Sequence, residues 1–512
     1  MNGSEVKPFS TTMLEIWNNI ANKRDEYKEY TLLANELTLF GLRERRDEFK
    51  FSLELAATVN RHSSRLTKDI LALEDHSDQL RDLLKKISDV ATVAYEKREH
   101  HWRTIYKEET IGELKAAVTS FDMESARFNN TVFILNATVN TTTSRRNDLT
   151  LKISPSEILR INRTTYVAQV SYTEPGHTRV YQVGALVEEI SYSTKNQTDD
   201  ETDKAIQTLA SKLKLALPHW NIPRLIGYEK NRNKNGTCCT ELIFERPKPE
   251  LEIVSLSELY RYGTPEPALN LRLRLCSQIT IAVLQAYMIG LSHTSIRPQN
   301  LFVSPNADKD GYIDQASLIL SGWVNAQLIE GITTNGISEP TVSQIIYQHP
   351  NRQPQESMAK EGYNIGYDIY SMGVCMLELL VWDPLVRAGD TQIGAPESRL
   401  SDAYQHEFKR LGYADNLDLS SNEDFSNEAY IKLVTSLYTR KASEVQNTLI
   451  SMTKTYVPKR AGNRMANLIH QCLTCLDPES GPFTASSQDM KVAAENFRNE
   501  IFEDFNKLLA ML

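Results

Sequence analysis

Between residues 66 and 94 apolar side chains return in alternating steps of four and three: Leu66, Ile70, Leu73, then Ser77 as the single polar position, Leu80, Leu84, Ile87, Ala91 and Ala94. That period predicts a heptad seam about four repeats long. Arg65, Lys68, Asp69, Asp75, Asp78, Arg81, Asp82, Lys85 and Lys86 fill the other faces. Upstream, Leu14, Trp17, Ile20, Tyr27, Leu32, Leu33, Leu37, Phe40, Phe49 and Leu53 offer apolar surface for two or three further helices to face the seam. Residues 1–115 therefore read as a helical bundle. Two readings of the seam stay open. Either it packs against helices of its own chain, or Leu66, Ile70, Leu73, Leu80, Leu84 and Ile87 pair with another chain and oligomerise.

The period changes after that. Residues 116–160, with RFNNTVFILNATVNTTTSRRNDLT at their centre, are β-branched and rich in Asn and Thr, which predicts a strand or hairpin with a loop, a brace or linker between domains. VYQVGALVEEISY (180–192) reads as a strand, and DETDKAIQTLASKLKLAL (200–217) as a helix with Ile206, Leu209, Leu213 and Leu217 on one face. IPRLIGYEK and TELIFERP read as a strand pair. LNLRLRLCSQITIAVLQAYMIGL (269–291) and YDIYSMGVCMLELLVW (367–382) then read as long helices. The fold class expected is α+β: an all-α bundle, then a small mixed lobe, then a larger helical one.

Composition narrows the setting. Of 512 residues, 41% are hydrophobic and 24% charged, which is ordinary for a globular chain. A net charge of −9 leaves no basic excess for a phosphate backbone, so nucleic acid is not expected as a partner. The six cysteines show no disulfide-framework spacing, and MNGSEVKPFSTTM lacks the apolar core of a secretory signal. A reducing, cytoplasmic compartment is expected, and the sequons at Asn136, Asn140, Asn162 and Asn235 read as chance matches. The longest apolar run, residues 279–291, falls short of the roughly 20 residues that span a bilayer. Membrane contact is left open without being indicated.

The candidate chemistry lies in four stretches in fixed order. HTSIRPQN places His293, Ser295, Arg297 and Asn300 in one loop. SLILSGWVN follows with Ser321, Gly322 and Trp323, and IIYQHPNRQ with Tyr347, His349, Pro350 and Arg352. GYDIYSMGVCMLELL then opens a helix at Asp368, Ser371 and Gly373. Together they resemble the protein-kinase catalytic loop H-R-D-L-x-x-x-N, the D-F-G segment, the A-P-E turn and the helix after it. The wording is most similar to the kinase-like domains of fungal proteins that carry N-terminal HeLo-type helical domains. Those read HxSIRxxNxLF, YxHPxRQ, DIYSLGVxLLE and GxRYxxxxxxCL; this chain reads HTSIRPQNLF, YQHPNRQ, DIYSMGVCMLE and GNRMANLIHQCL.

The resemblance covers roughly residues 160–480. It implies a bilobal protein-kinase-like domain, with an N-lobe over 161–246 and a helical C-lobe over 247–512. The N-terminal bundle lacks the Gly/Ala-rich apolar opening of membrane-permeabilising HeLo helices.

Tested part by part, the resemblance implies a kinase outline without kinase machinery. Ser295 stands where the catalytic Asp accepts the substrate proton, and Ser321 where an Asp holds Mg²⁺. ILRINRTTYVAQVSYTEPG has no glycine before Gly176 to let backbone approach a phosphate, and the strand position of the phosphate-gripping Lys is filled by Glu188 or Glu189. Asn300 is left to bond the loop backbone rather than a second metal. Asp368 is implied to hydrogen-bond the catalytic-loop backbone, Tyr347, His349, Pro350 and Arg352 to form a docking turn, and Arg297 to pair with a local acid or lie on the surface. No cofactor and no metal are expected.

Weaker signals have plainer readings. Cys472 and Cys475 carry half of a zinc spacing without a second half, and read as core. His100 and His101 beside Trp102 read as a solvated helix end. The expected role is a non-catalytic pseudokinase that regulates an effector or oligomerisation bundle through protein partners or self-association, in fungal self/non-self recognition or regulated cell death. Two alternatives are an atypical ATP-dependent phosphotransferase and a structural coiled-coil oligomer with an inert kinase-like tail.

Overall fold

The computed structural model describes residues 150–161, 164–173, 180–192, 199–216, 221–232, 238–246, 252–261, 264–307, 313–323, 326–328, 345–352, 364–388, 398–413 and 442–477. It also describes positions 78–83, 85, 86, 89, 113, 117, 120, 497, 501 and 505. The chain divides into two compact units, Met1–Arg145 and Arg146–Leu512.

In the first unit residues 78–83 are helical, Leu80 is fully buried, and Arg81 bonds Asp78 at 2.9 Å along one face. The other seam positions, Leu66, Ile70, Leu73, Leu84 and Ile87, lie outside the described residues, as do His100 and His101.

The second unit begins with an antiparallel five-stranded sheet. β1 (Lys152–Arg160), β2 (Thr165–Thr173), β3 (Tyr181–Tyr192), α1 (Asp199–Leu213), β4 (Leu225–Arg232) and β5 (Cys238–Glu245) follow in sequence, and the sheet order is β1-β2-β3-β5-β4. The sheet thus starts at Lys152, inside the 116–160 segment read as a brace. KISPSEILR forms the edge strand of this sheet. Pro155 has no N–H to donate, and Glu157 sits at φ 52 in a register shift between Ser156 and Leu159. Such features blunt an edge against pairing with other chains.

Strand alternation assigns the faces. Leu151, Tyr166, Ala168, Val170, Ala185, Val187 and Ile243 form one buried cluster. In β3, Leu186 and Glu188 point to the opposite face, and α1 packs against β4 through its apolar positions Ile206, Leu209 and Leu213. Glu189, one residue on, returns to the first face, where Arg160 clamps its two oxygens at 3.2 and 3.0 Å.

β6 (Val254–Ser255) and α2 (Leu256–Arg261) lead to α3 (Leu269–Met288). β7 (Leu291–Ser292), a 3₁₀ turn at Pro298–Asn300, β8 (Leu301–Ala307) and β9 (Ile313–Leu320) follow, and then β10 (Gln327–Leu328), which pairs with β7. A second 3₁₀ turn, Pro350–Arg352, precedes α4 (Ile365–Val381). β11 (Val386–Ala388), β12 (Ser398–Leu400), α5 (Asp402–Arg410) and α6 (Ala442–Leu473) complete the described elements. β6, β8 and β9 form a three-stranded sheet against α3.

α4 is the axis of this part: all 17 of its residues are buried. IGYDIYSMGVCMLELLV is apolar on every side, the pattern of a helix surrounded by protein. Asn364 caps its start by accepting from Gly366 N, and Trp382 ends it in the left-handed conformation at φ 52. α6 lies so close that a Cβ on Gly373 would sit 2.6 Å from Cys472 Cβ. α6 itself is kinked at Gly462, φ 80, four residues beyond Pro458. Among the described residues no helix is long and apolar enough to cross a membrane.

Candidate functional site

The residues singled out in sequence meet where β3 faces the ends of β7 and β9. The loop after β7 is held by α4. Asp368 accepts His293 N at 2.7 Å on Oδ2 and Thr294 N at 2.8 Å on Oδ1, which holds Thr294 at φ 62. Asn300, in the 3₁₀ turn, donates from Nδ2 to Ser295 O at 2.8 Å and to Ser295 Oγ at 3.2 Å. Asp368 and Asn300 thus each bond the backbone of this loop.

His293 is fully buried, and burial pushes its pKa down to about 3, so the ring is neutral. Its Nε2 lies 2.9 Å from Ser321 O; a carbonyl only accepts, so Nε2 carries the proton. The ring also meets Trp323 edge to face at 4.8 Å. His293 thus bonds the Ser321 carbonyl, not its hydroxyl, and no Ser–His catalytic pair forms.

The residue that organises the site is Glu188. Its side chain is buried at 2% exposure, and three donors from one tripeptide converge on it. Ser321 Oγ bonds Oε1, Gly322 N donates to Oε1 at 2.8 Å, and Trp323 N donates to Oε2 at 2.9 Å. Burial raises the Glu188 pKa, and the bonds from Ser321, Gly322 and Trp323 oppose that rise. The sequence narrowed the position to Glu188 or Glu189; in the folded sheet Glu188 turns inward and Glu189 goes to Arg160 instead.

The tripeptide is gripped from below as well. Ser321 N donates to Asn300 O at 2.8 Å, and Gly322 stands at φ 88 directly over the Asn300 amide. A Cβ there would lie 2.4 Å from Asn300 Cγ. Gly322→Ala therefore combines a left-handed strain with an overpacked contact, and is expected to cost about 2–4 kcal/mol in a urea titration. A loss under about 0.5 kcal/mol would show that Asn300 yields freely.

The remaining candidates are structural in their contacts. Tyr347 donates its hydroxyl to Glu378 Oε1 at 2.7 Å, and its carbonyl accepts from Ser371 Oγ at 2.6 Å. His349 is buried against Tyr370 at 5.1 Å, with its pKa lowered to about 4 by burial. Pro350 is buried, and the Arg352 guanidinium lies 5.3 Å over the Tyr367 ring. Arg297 follows neither expectation: it is half-buried beside Tyr347, with its Nε without an acceptor and its pKa lowered by desolvation.

Cys472 and Cys475 are buried thiols; desolvation pushes Cys472 up to about 12 and Cys475 well above the usual thiol range. Among the described residues no group of three or more His, Cys, Asp and Glu side chains is placed to hold a metal ion.

Sequence reasoning missed Glu378. A second carboxylate, ten residues after Asp368 in an otherwise largely apolar helix, was the available signal, because a buried acid needs partners. Compared with known proteins, the chain matches no protein-family model and no curated protein.

Proposed function

We propose that this chain is a non-catalytic, pseudokinase-like regulator, related to the fungal HeLo-associated kinase-like proteins, whose kinase-like part controls residues 1–115 as an effector or oligomerisation module. One observation carries the reading: the buried Glu188 carboxylate, which the resemblance puts at the strand position of a phosphate-gripping Lys, is bonded to Ser321, Gly322 and Trp323. A buried carboxylate at that point repels a nucleotide phosphate. Ser321 Oγ, the group standing where a metal-holding acid would be, is itself engaged by Glu188. Supporting it, Asp368, Asn300 and His293 serve as braces, while Ser295 offers only a hydroxyl already bonded by Asn300. Regulation then runs through protein contacts: a partner or modification shifts the kinase-like part between states that hold or release the bundle.

The test is thermal unfolding of the full chain with ATP, with and without Mg²⁺. A ligand at 100 times its dissociation constant stabilises by about 2.7 kcal/mol, which is readily seen as a shifted midpoint. No shift is expected under either condition. A Mg²⁺-dependent rise would overturn the reading and return the atypical phosphotransferase to first place.

A further inference from the structure

Ser321, Gly322 and Trp323 present a hydroxyl and two successive backbone N–H groups to one point, with Gly322 in the left-handed conformation that turns consecutive N–H groups the same way. Successive N–H groups so arranged form a nest, a concavity that binds anions. In this protein the nest is already filled: both Glu188 oxygens sit in it, and they come from a strand 133 residues earlier in the chain. The carbonyl side of the same tripeptide is satisfied separately, by His293 Nε2 on Ser321 O. The donors therefore have no other duty than to hold an anion.

We infer that Ser321–Gly322–Trp323 is an anion receptor plugged by the chain's own Glu188, and that with the plug removed it takes a small carboxylate. The contact fastens the sheet to the β9 end, so occupancy of the nest decides whether Trp323 stays in its fully buried seat. Removing the Glu188 side chain beyond Cβ leaves a cavity lined by three donors. A site that polar and small fills with water or with an anion rather than staying empty. Formate reproduces the two oxygens at the spacing the nest already accepts, and acetate adds one methyl in the space of the lost side chain. The inference rests on the nest geometry and holds whichever family the chain belongs to.

The experiment uses full-length Glu188→Ala, titrated with sodium formate or acetate against sodium chloride at matched ionic strength. Trp323 emission and the thermal midpoint are followed. Trp323 is one of five tryptophans, so Glu188→Ala with Trp323→Phe supplies the background. The expected result is a red-shifted Trp323 emission in Glu188→Ala that formate and acetate reverse along a saturating curve, while chloride does not and wild type does not respond. Adding Ser321→Ala removes one of the three donors to a charged acceptor and is expected to weaken formate about tenfold or more.

A Glu188→Ala variant that is folded yet responds to formate no differently from chloride overturns the inference. Should that variant be recovered unfolded, its refolding yield with formate replaces the titration. A yield above the chloride control supports the receptor, and an equal yield overturns it. Failure here leaves the ATP experiment untouched, because that experiment reads wild type, in which Glu188 is present.

Discussion

Asp368→Ala is expected to lower the stability of the second unit by about 2–6 kcal/mol, because it strands a buried and a partly buried backbone donor at about 1–3 kcal/mol each. His293 N and Thr294 N both point at the Asp368 carboxylate, at 2.7 and 2.8 Å, and Asp368 itself is 3% exposed. Water cannot replace the lost oxygens without entering a region packed by α4. The variant also releases Thr294 from φ 62, a backbone conformation a β-branched residue keeps only when its surroundings hold it there. The loop then relaxes, and His293, whose Nε2 bonds Ser321 O, moves with it.

Against a total of about 5–15 kcal/mol for a natural domain, the loss is a large share, and it unfolds much of the population only where the total lies near the lower end. Asp368→Asn keeps one acceptor oxygen and is expected to fall between wild type and Ala. Urea titration with an unchanged slope is the measurement. A loss below about 1 kcal/mol for Asp368→Ala would mean that both N–H groups find other partners, and that the brace role is misassigned.

The same residues show why part of the site could be read in the sequence. Asn300 acts on Ser295 within one short loop, so HTSIRPQN itself carries that geometry. Asp368 reaches His293 and Thr294 across 75 and 74 residues, and its role was named only by the resemblance of GYDIYSMG to the kinase helix. Glu188 is different. Its partners lie 133 to 135 residues away, and no local pattern names them. Alternation along LVEEI said only that Glu188 and Glu189 face opposite ways. Deciding which goes inward needs the sheet's register: Glu188 pairs with Thr165 and Leu242, and Glu189 with Glu241.

The sequence predicts a strand or hairpin within 116–160, but the bounds of β1 and its place in the sheet were hidden for a related reason. An edge strand with a proline and a bulge has neither the apolar run of a central strand nor clean alternation. Arg297 could not be placed by charge reasoning, since it sits half-buried beside Tyr347, a residue far from it in sequence, with its pKa lowered by desolvation.

Glu378 should make the protein less stable as pH rises through neutrality, opposite to the usual behaviour of paired carboxylates. It is fully buried in α4, and burial pushes its pKa up to about 8. Tyr347 Oη at 2.7 Å and Leu385 N at 2.6 Å donate to Oε1, but Oε2 has no partner, and Asp383 adds a repelling charge. Its other near neighbours, Tyr260 and Cys375, are held neutral by the same burial. The protonated acid is thus the native form at pH 7.

The sign follows from linkage. The folded state binds this proton more tightly than the unfolded state, so the contribution is complete below pH ~4.5 and is lost as pH climbs through about 8. At about 1.4 kcal/mol per unit the ceiling is on the order of 4–5 kcal/mol. Glu378→Gln keeps an acceptor for Tyr347 and Leu385 and cannot ionise. It is expected to remove that slope and to unfold at a higher denaturant concentration than wild type at pH 9, while differing little at pH 5. Parallel curves for the two proteins across pH 5–9 would show that Glu378 is ionised throughout and that its charge is met by groups other than Tyr347 and Leu385. The converse variant, Tyr347→Phe, removes the hydroxyl donor from Oε1 and favours the protonated acid further. It should carry the decline on to higher pH at the same slope, which a merely space-filling role for Tyr347 would not do.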